Sequence, residues 1–267
     1  MDNDFIHGDK FADFADVSRN WPKDSHDLDV LGKENQIIFC KIDYLKEIFE
    51  ALRGNKKRHI LITHNSDYPV NEERYSWKPE CIVKWYGQNV DIKRDDVIPI
   101  PVGVERPDGL GYSADYPAIQ VQAAKEKKIR GLVYMNHTDR NNREEREYVT
   151  KNWGGLPYVT HQKTRNTFKE YLEAVHSHKF VVSPRGNICC DAHRTWEAIY
   201  LGTIPIVKRD VKMESWAELP ILIVNDWVPL PKKYLEVEYA NTMLTSNTEK
   251  ASMAYWINRI QKEKEAL

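Results

Sequence analysis

Between Lys179 and Arg209 the chain reads KFVVSPRGNICCDAHRTWEAIYLGTIPIVKR, an apolar run, a glycine-containing loop and the start of a helical pattern in immediate succession. That order makes an anion site. The free backbone N–H groups of a first helical turn, with the positive end of the helix dipole, hold a pyrophosphate without a metal. Gly186 lets the backbone approach such a ligand, and Arg185 and Arg194 add charge-assisted hydrogen bonds. Arg194 and Glu197 stand three apart on one helical face together with Asp191, and a carboxylate there binds a ribose diol. The same residues also allow an architectural reading, in which Asp191 caps the helix, Arg194 and Glu197 form a surface ion pair, and Trp196 and Ile199 face the core.

These groups need strands and helices to hold them. Gln36–Lys41 (QIIFCK) reads as a buried strand, with Asp43 at its C-terminal edge and a helix over Tyr44–Arg53. His59–Thr63 (HILIT) is a second strand, whose edge carries His64, Asn65, Ser66 and Asp67. Cys81–Trp85 and Val97–Ile100 are further short strands, and a linker is expected near residues 118–128. The pattern then restarts with Gly131–Met135 and a polar loop, Asn136–Asn142, before a charged helix from Arg143. Thr138, Arg143 and Arg146 either reach the same phosphates or belong to a solvated helical face. A helix over Thr167–Ser177, a strand over Lys179–Ser183, a helix over Asp191–Leu201 capped by Gly202, strands at Ile204–Val207 and Leu219–Asn225, and a closing helix over Met253–Lys262 complete it. Strand and helix alternation of this kind predicts an α/β fold with parallel sheets, divided into residues 1–124 and 125–267.

Composition narrows the partners. The 267 residues are 41% hydrophobic and 30% charged, with a formal net charge of -1, so no global basic field attracts nucleic acid or an anionic membrane. The longest apolar runs fall far short of the ~20 residues that span a bilayer. Met1–Lys10 carries Asp2, Asp4 and Asp9 and no apolar stretch, so no signal peptide is read there and a cytoplasmic protein is expected. Cys40, Cys81, Cys189 and Cys190 show no C-x-x-C spacing and read as reduced thiols.

The run SPRGNICCDAHRTWEAIYLGTIPIV, Ser183–Val207, with ELPILIVNDW at Glu218–Trp227, resembles the exostosin-like glycosyltransferases. KIDYL at Lys41, LITHNSD at Leu61 and WYGQN at Trp85 extend the likeness into the first half. The resemblance implies a GT-B architecture, two Rossmann-like domains with parallel sheets facing across a cleft, with a nucleotide-sugar held mainly by the second. On that donor side stand Arg185, Gly186, Asn187, Asp191, His193, Arg194 and Glu197, with Thr138, Arg143 and Arg146 in reach. By analogy the final helix crosses back onto the first domain.

Sugar transfer requires a base for the acceptor hydroxyl and neutralisation of the departing nucleoside diphosphate. Asp67, His64 and Asp43, in that order, are the candidates for the base. Asp67 and His64 could instead hold their loop, and Asp43 could cap a helix. The triplets Asp2-Asn3-Asp4 and Asp27-Leu28-Asp29 do not follow strands, so no metal or other cofactor is expected. The resulting expectation is an inverting, metal-independent transfer from a nucleotide-sugar, by resemblance a UDP-sugar, to a glycan acceptor. A GDP-sugar transferase of fucosyltransferase type and a catalytically silent glycan- or nucleotide-binding module are the alternatives.

Overall fold

The computed structural model describes residues 4–20, 30–105, 115–164 and 166–267. The first two stretches hold α1 (Gly8–Phe14), β1 (Val17–Arg19), β2 (Ile37–Lys41), α2 (Leu45–Ala51), β3 (His59–His64), α3 (Glu72–Ser76), β4 (Ile82–Gly87) and β5 (Val97–Pro99). There follow α4 (Tyr116–Ala123), β6 (Gly131–Met135), α5 (Arg143–Trp153), β7 (Val159–His161), α6 (Phe168–His176) and β8 (His178–Val182). The chain ends with α7 (His193–Tyr200), β9 (Ile204–Lys208), α8 (Val211–Ser215), β10 (Leu222–Val224), α9 (Lys232–Thr245) and α10 (Met253–Glu265).

Two units form. The first comprises Asp4–Val102 and Ser252–Leu267, and its sheet runs β1-β2-β3-β4-β5 with every pairing parallel. All six residues of β3 are buried, as a strand covered on both faces requires. The closing helix α10 belongs to this unit and packs on α1 and β3. Met253, Trp256 and Ile260, spaced three and four apart, form its buried stripe. Asp4 holds its start, accepting from the amides of Met253 and Ala254 at 3.0 and 2.8 Å, and Lys264 reaches Asp16 at 2.7 Å near its end.

The second unit, Gly103–Ala251, has the sheet order β10-β9-β8-β6-β7, again entirely parallel. Its core is built from Val133, Met135, Phe180, Val182, Ile204 and Ile206 on the strands, with Val149 and Trp153 of α5 and Leu235 of α9. The division thus falls at Val102/Gly103, whereas the sequence pattern divides the chain at 124/125. The linker expected over 118–128 is in its first half helical. Asp115 caps α4, with Pro in its first turn, and the helix packs on α6 and α7, where Gln122 meets His176 Nδ1 at 2.8 Å. Lys127 then donates to the carbonyls of His176 and Leu201 and to Thr203 Oγ1, tying the ends of α6 and α7 together. Trp216, Trp227 and Trp256 are buried, each about 1% exposed. Among the described residues no helix is long and apolar enough to cross a membrane.

Candidate functional site

The order of the second sheet fixes where a ligand belongs. From β6 the chain moves outward to β7, then returns to place β8 on the other side of β6. In an open parallel sheet such a reversal opens a crevice beyond the C-terminal strand ends. The loops that follow β6 and β8, residues 136–142 and 183–192, border it. The first unit's sheet runs in sequential order and has no such reversal among the described residues.

At the crevice the start of α7 is left without a side-chain cap: its N-cap is Ala192. Asp191, the expected cap, is instead buried and accepts from Trp196 Nε1 at 2.6 Å, while Trp196 meets Trp216 edge-on at 5.2 Å. Arg194, in the same first turn, has Nε and Nη1 buried with no hydrogen-bond acceptor among the described residues. It does not pair with Glu197, whose Oε2 accepts from Tyr171 OH at 2.6 Å. Burial, then the neighbouring Glu197 carboxylate, push the Tyr171 phenol well up, so it stays a donor. A guanidinium with orphaned donors beside an uncapped helix start is an arrangement that an anion completes.

The loop after β8 is held from behind. Glu145 accepts from the Arg185 backbone N–H at 2.9 Å and from its Nε at 2.7 Å, with Nη2 at 2.5 Å. Arg146 donates from Nε to the Arg185 carbonyl and from Nη1 to the Thr138 carbonyl, both at 2.9 Å, and so clamps the two loops that border the crevice. Burial, then the nearby Arg194, lower its pKa to about 10, which leaves it charged at neutral pH. Gly186 N–H donates to the Cys190 carbonyl at 2.8 Å and Cys190 N–H to the Asn187 carbonyl at 2.9 Å, so the loop folds on itself. A Cβ at Gly186 would come within 3.3 Å of Cys190 Cβ, and this glycine therefore serves the packing of its own turn. All four cysteines are free thiols.

His193 opens α7 and reaches back to the start of the unit. Its Nδ1 donates to the Gly103 carbonyl at 2.8 Å and its Nε2 lies 3.3 Å from Glu105. Burial works against the imidazolium, but Glu105 and the Gly103 carbonyl outweigh it and raise the pKa. A histidine raised in the folded state contributes stability below the unfolded value of about 6.5 and loses it as pH rises through the higher folded value. The urea midpoint of wild type should therefore exceed that of His193→Gln by more at pH 6 than at pH 9. A gap that stays constant over that range would remove the charged pair from the account.

Thr138, in the loop that borders the crevice, and Arg143 also line an open cavity beyond β6 and β7, where Arg143 Nε pairs with Glu147 at 2.5 Å. In the first unit, His64 Nε2 donates to the Pro101 carbonyl at 3.0 Å and its Nδ1 accepts from Asn65 N–H at 2.8 Å. Asp67 stands exposed on the loop beyond. Asp43 is exposed within a 3-10 turn over Ile42–Tyr44, 3.7 Å from Lys41, and caps nothing, since α2 takes Tyr44 as its N-cap. Asp27-Leu28-Asp29 and residues 2 and 3 of the first acidic triplet lie outside the described residues. Among those described, no group of three His, Cys, Asp or Glu side chains is placed to hold a metal ion.

The residues that sequence reasoning passed over are Glu145, Tyr171 and Glu105. Glu145 had a readable signal: it is four residues from Val149 and next to Arg146, which shares a helical stripe with Val149 and Trp153. A charged residue in the phase of an apolar stripe is buried with a partner. No known family model matches the sequence, and no curated protein matches it. Among solved structures the chain is similar to an α,α-trehalose-phosphate synthase (UDP-forming) from Burkholderia vietnamiensis, at 7% identity over 86% of this chain and 74% of that one, with a TM-score of 0.48. It is also similar to an α1,3-fucosyltransferase (12% identity, 80% and 67%, TM-score 0.39) and to AviGT4, a glycosyltransferase involved in avilamycin A biosynthesis (13%, 89% and 76%, TM-score 0.45). All three scores lie below 0.5, and the functional reading rests on the residues of the crevice instead.

Proposed function

We propose that the chain is a glycosyltransferase that takes a nucleotide-sugar, a UDP-sugar, and moves its sugar to a hydroxyl of a glycan acceptor with inversion and without a metal. The observation that carries the donor half is Arg194: a guanidinium with two buried, unpartnered donors in the uncapped first turn of α7, beside the sheet reversal. A departing nucleoside diphosphate supplies the missing acceptors, and its developing charge is met by a group already in place. Glu197, held by Tyr171, is the carboxylate for the ribose diol. The resemblance of Ser183–Val207 to exostosin-like glycosyltransferases supports sugar as the group transferred. For the base that deprotonates the acceptor, Asp67 stands first: it is an exposed carboxylate, whereas both ring nitrogens of His64 are engaged.

Thermal shift with UDP, GDP, ADP and CMP, each with and without EDTA, tests this reading. At about 100 times its Kd a nucleotide adds roughly 2.7 kcal/mol, several degrees for domains of this size. The expected result is a shift with UDP that EDTA leaves intact. A shift with GDP alone moves the donor to a GDP-sugar, a shift abolished by EDTA and restored by Mn²⁺ refutes metal independence, and no shift with any nucleotide refutes the donor site.

A further inference from the structure

Helix α9 carries apolar side chains on two opposite sides. Leu235 is buried in the core of the second unit, and the partly buried Tyr239 packs against that core, meeting Phe180 edge-on at 5.9 Å. On the other side Tyr234, Val237 and Leu244 are 44%, 52% and 85% exposed. At 3.6 residues per turn Leu244 points directly away from Leu235. The other long helices turn polar residues outward: α5 exposes Arg143, Glu144, Glu147 and Lys151, and α10 exposes Ala254, Asn258 and Lys262. A helix that is apolar on both sides asks for cover on both.

The outward residues of α9 keep a strict spacing. Tyr234, Val237, Asn241 and Leu244 stand three, four and three apart, the a, d, a and d positions of two successive heptads, and all four are exposed. Lys233 and Ala240 occupy the g positions on one flank of this stripe, and Glu238 and Thr245 the e positions on the other. Lys233 has no ion pair among the described residues, whereas Lys232 beside it is 3.9 Å from Glu236.

We infer that this face is a dimer interface, on which α9 of a second copy of the chain lies parallel and in register about a two-fold axis. Parallel pairing sets Asn241 against its own counterpart, where the two carboxamides hydrogen-bond, and brings Lys233 of each copy to Glu238 of the other. Antiparallel pairing would face Asn241 with Val237, Lys233 with Ala240 and Glu238 with Thr245, which strands the amide in an apolar seam and loses both charge pairs. The seam amide and the flanking charges thus complement the same helix running in the same direction. Two heptads give about 21 Å of seam, so association depends on concentration and the monomer keeps its own fold.

Sedimentation velocity of the full chain from about 1 to 100 µM reads the mass. The expected result is a shift from monomer to dimer within that range. V237E/L244E, which alters exposed positions only, should weaken association at least tenfold while its circular dichroism melt at the lowest concentration matches wild type. Lys233→Glu and Glu238→Lys should each weaken it at least threefold, because like charges then meet across the seam, and K233E/E238K should restore it to within twofold of wild type. Leu244→Cys should form a disulfide-linked dimer on mild oxidation, since d positions meet in a parallel pair and stand at opposite ends of an antiparallel one. The four native cysteines are buried, so wild type should give no such product. A chain that stays monomeric throughout, a dimer that V237E/L244E leaves intact, a charge swap that fails to restore association, or a Leu244→Cys dimer without the cross-link would each overturn the inference.

Discussion

Replacing Arg194 by Met lowers the affinity for UDP about 100-fold, ~2.7 kcal/mol, while the ligand-free protein loses no stability. The two halves of this result come from one observation. In the free chain Nε and Nη1 are buried without acceptors, so these two donors have given up hydration with no protein bond in return. Methionine keeps the apolar stem and removes that burden, so the urea midpoint should hold or rise. With a diphosphate bound, the same two donors make charge-assisted bonds, and their loss is felt in full. Arg194→Lys should fall between, because an ammonium restores the charge but not the planar fork. Isothermal titration beside urea denaturation reads both quantities. If Arg194→Met were destabilised by more than about 1 kcal/mol with UDP affinity unchanged, the residue would be a brace rather than an anion ligand.

The strands that the sequence shows plainly are those covered on both faces. QIIFCK, HILIT and KFVVS each hold consecutive apolar residues, without polar alternation, because parallel strands inside an α/β layer have no wet side. Two of the four edge strands escape the same rule: β1 is Val-Ser-Arg and β7 is Val-Thr-His, each at the margin of its sheet and neither recognisable as an apolar run. Helix α9 escapes it too, since Leu235 is its one buried residue while Tyr234, Val237 and Leu244 face outward. The cap and proline of α4 were legible at Asp115 and Pro117, and the charged stretch behind them hid the signal. At the site, residue types and strand edges could be read, but partners could not. Glu145 meets Arg185 forty residues on, and Tyr171 meets Glu197 twenty-six residues on, so which cation remains free for a ligand is decided only when the sheet has folded.

Gly8→Ala should destabilise the chain by about 3 kcal/mol, although the change adds a single methyl group in a helix. A Cβ at Gly8 would stand 1.8 Å from Asn65 Oδ1 and 2.4 Å from His64 Nδ1. The amide of Asn65 has nowhere to go. Its Nδ2 donates to Asp9 Oδ1 at 2.9 Å and to Asn20 Oδ1 at 3.0 Å, and Asn20 donates to the same Asp9 oxygen at 3.1 Å. Asn65 itself sits at φ 58°, a left-handed conformation that carboxamide residues tolerate and the bonds of its side chain help to hold. Displacing the amide therefore breaks two hydrogen bonds in a half-buried polar cluster and loosens the turn from which Asp67 projects. Chemical denaturation gives the size of the effect, and a double-mutant cycle gives its cause. In an Asn65→Ala background the nearer obstruction is gone and His64 Nδ1 at 2.4 Å remains, so adding Gly8→Ala should then cost less than about half of its penalty in the wild-type background. An equal penalty in both backgrounds would mean that the glycine is required by the backbone of α1 and not by the side chains that crowd it.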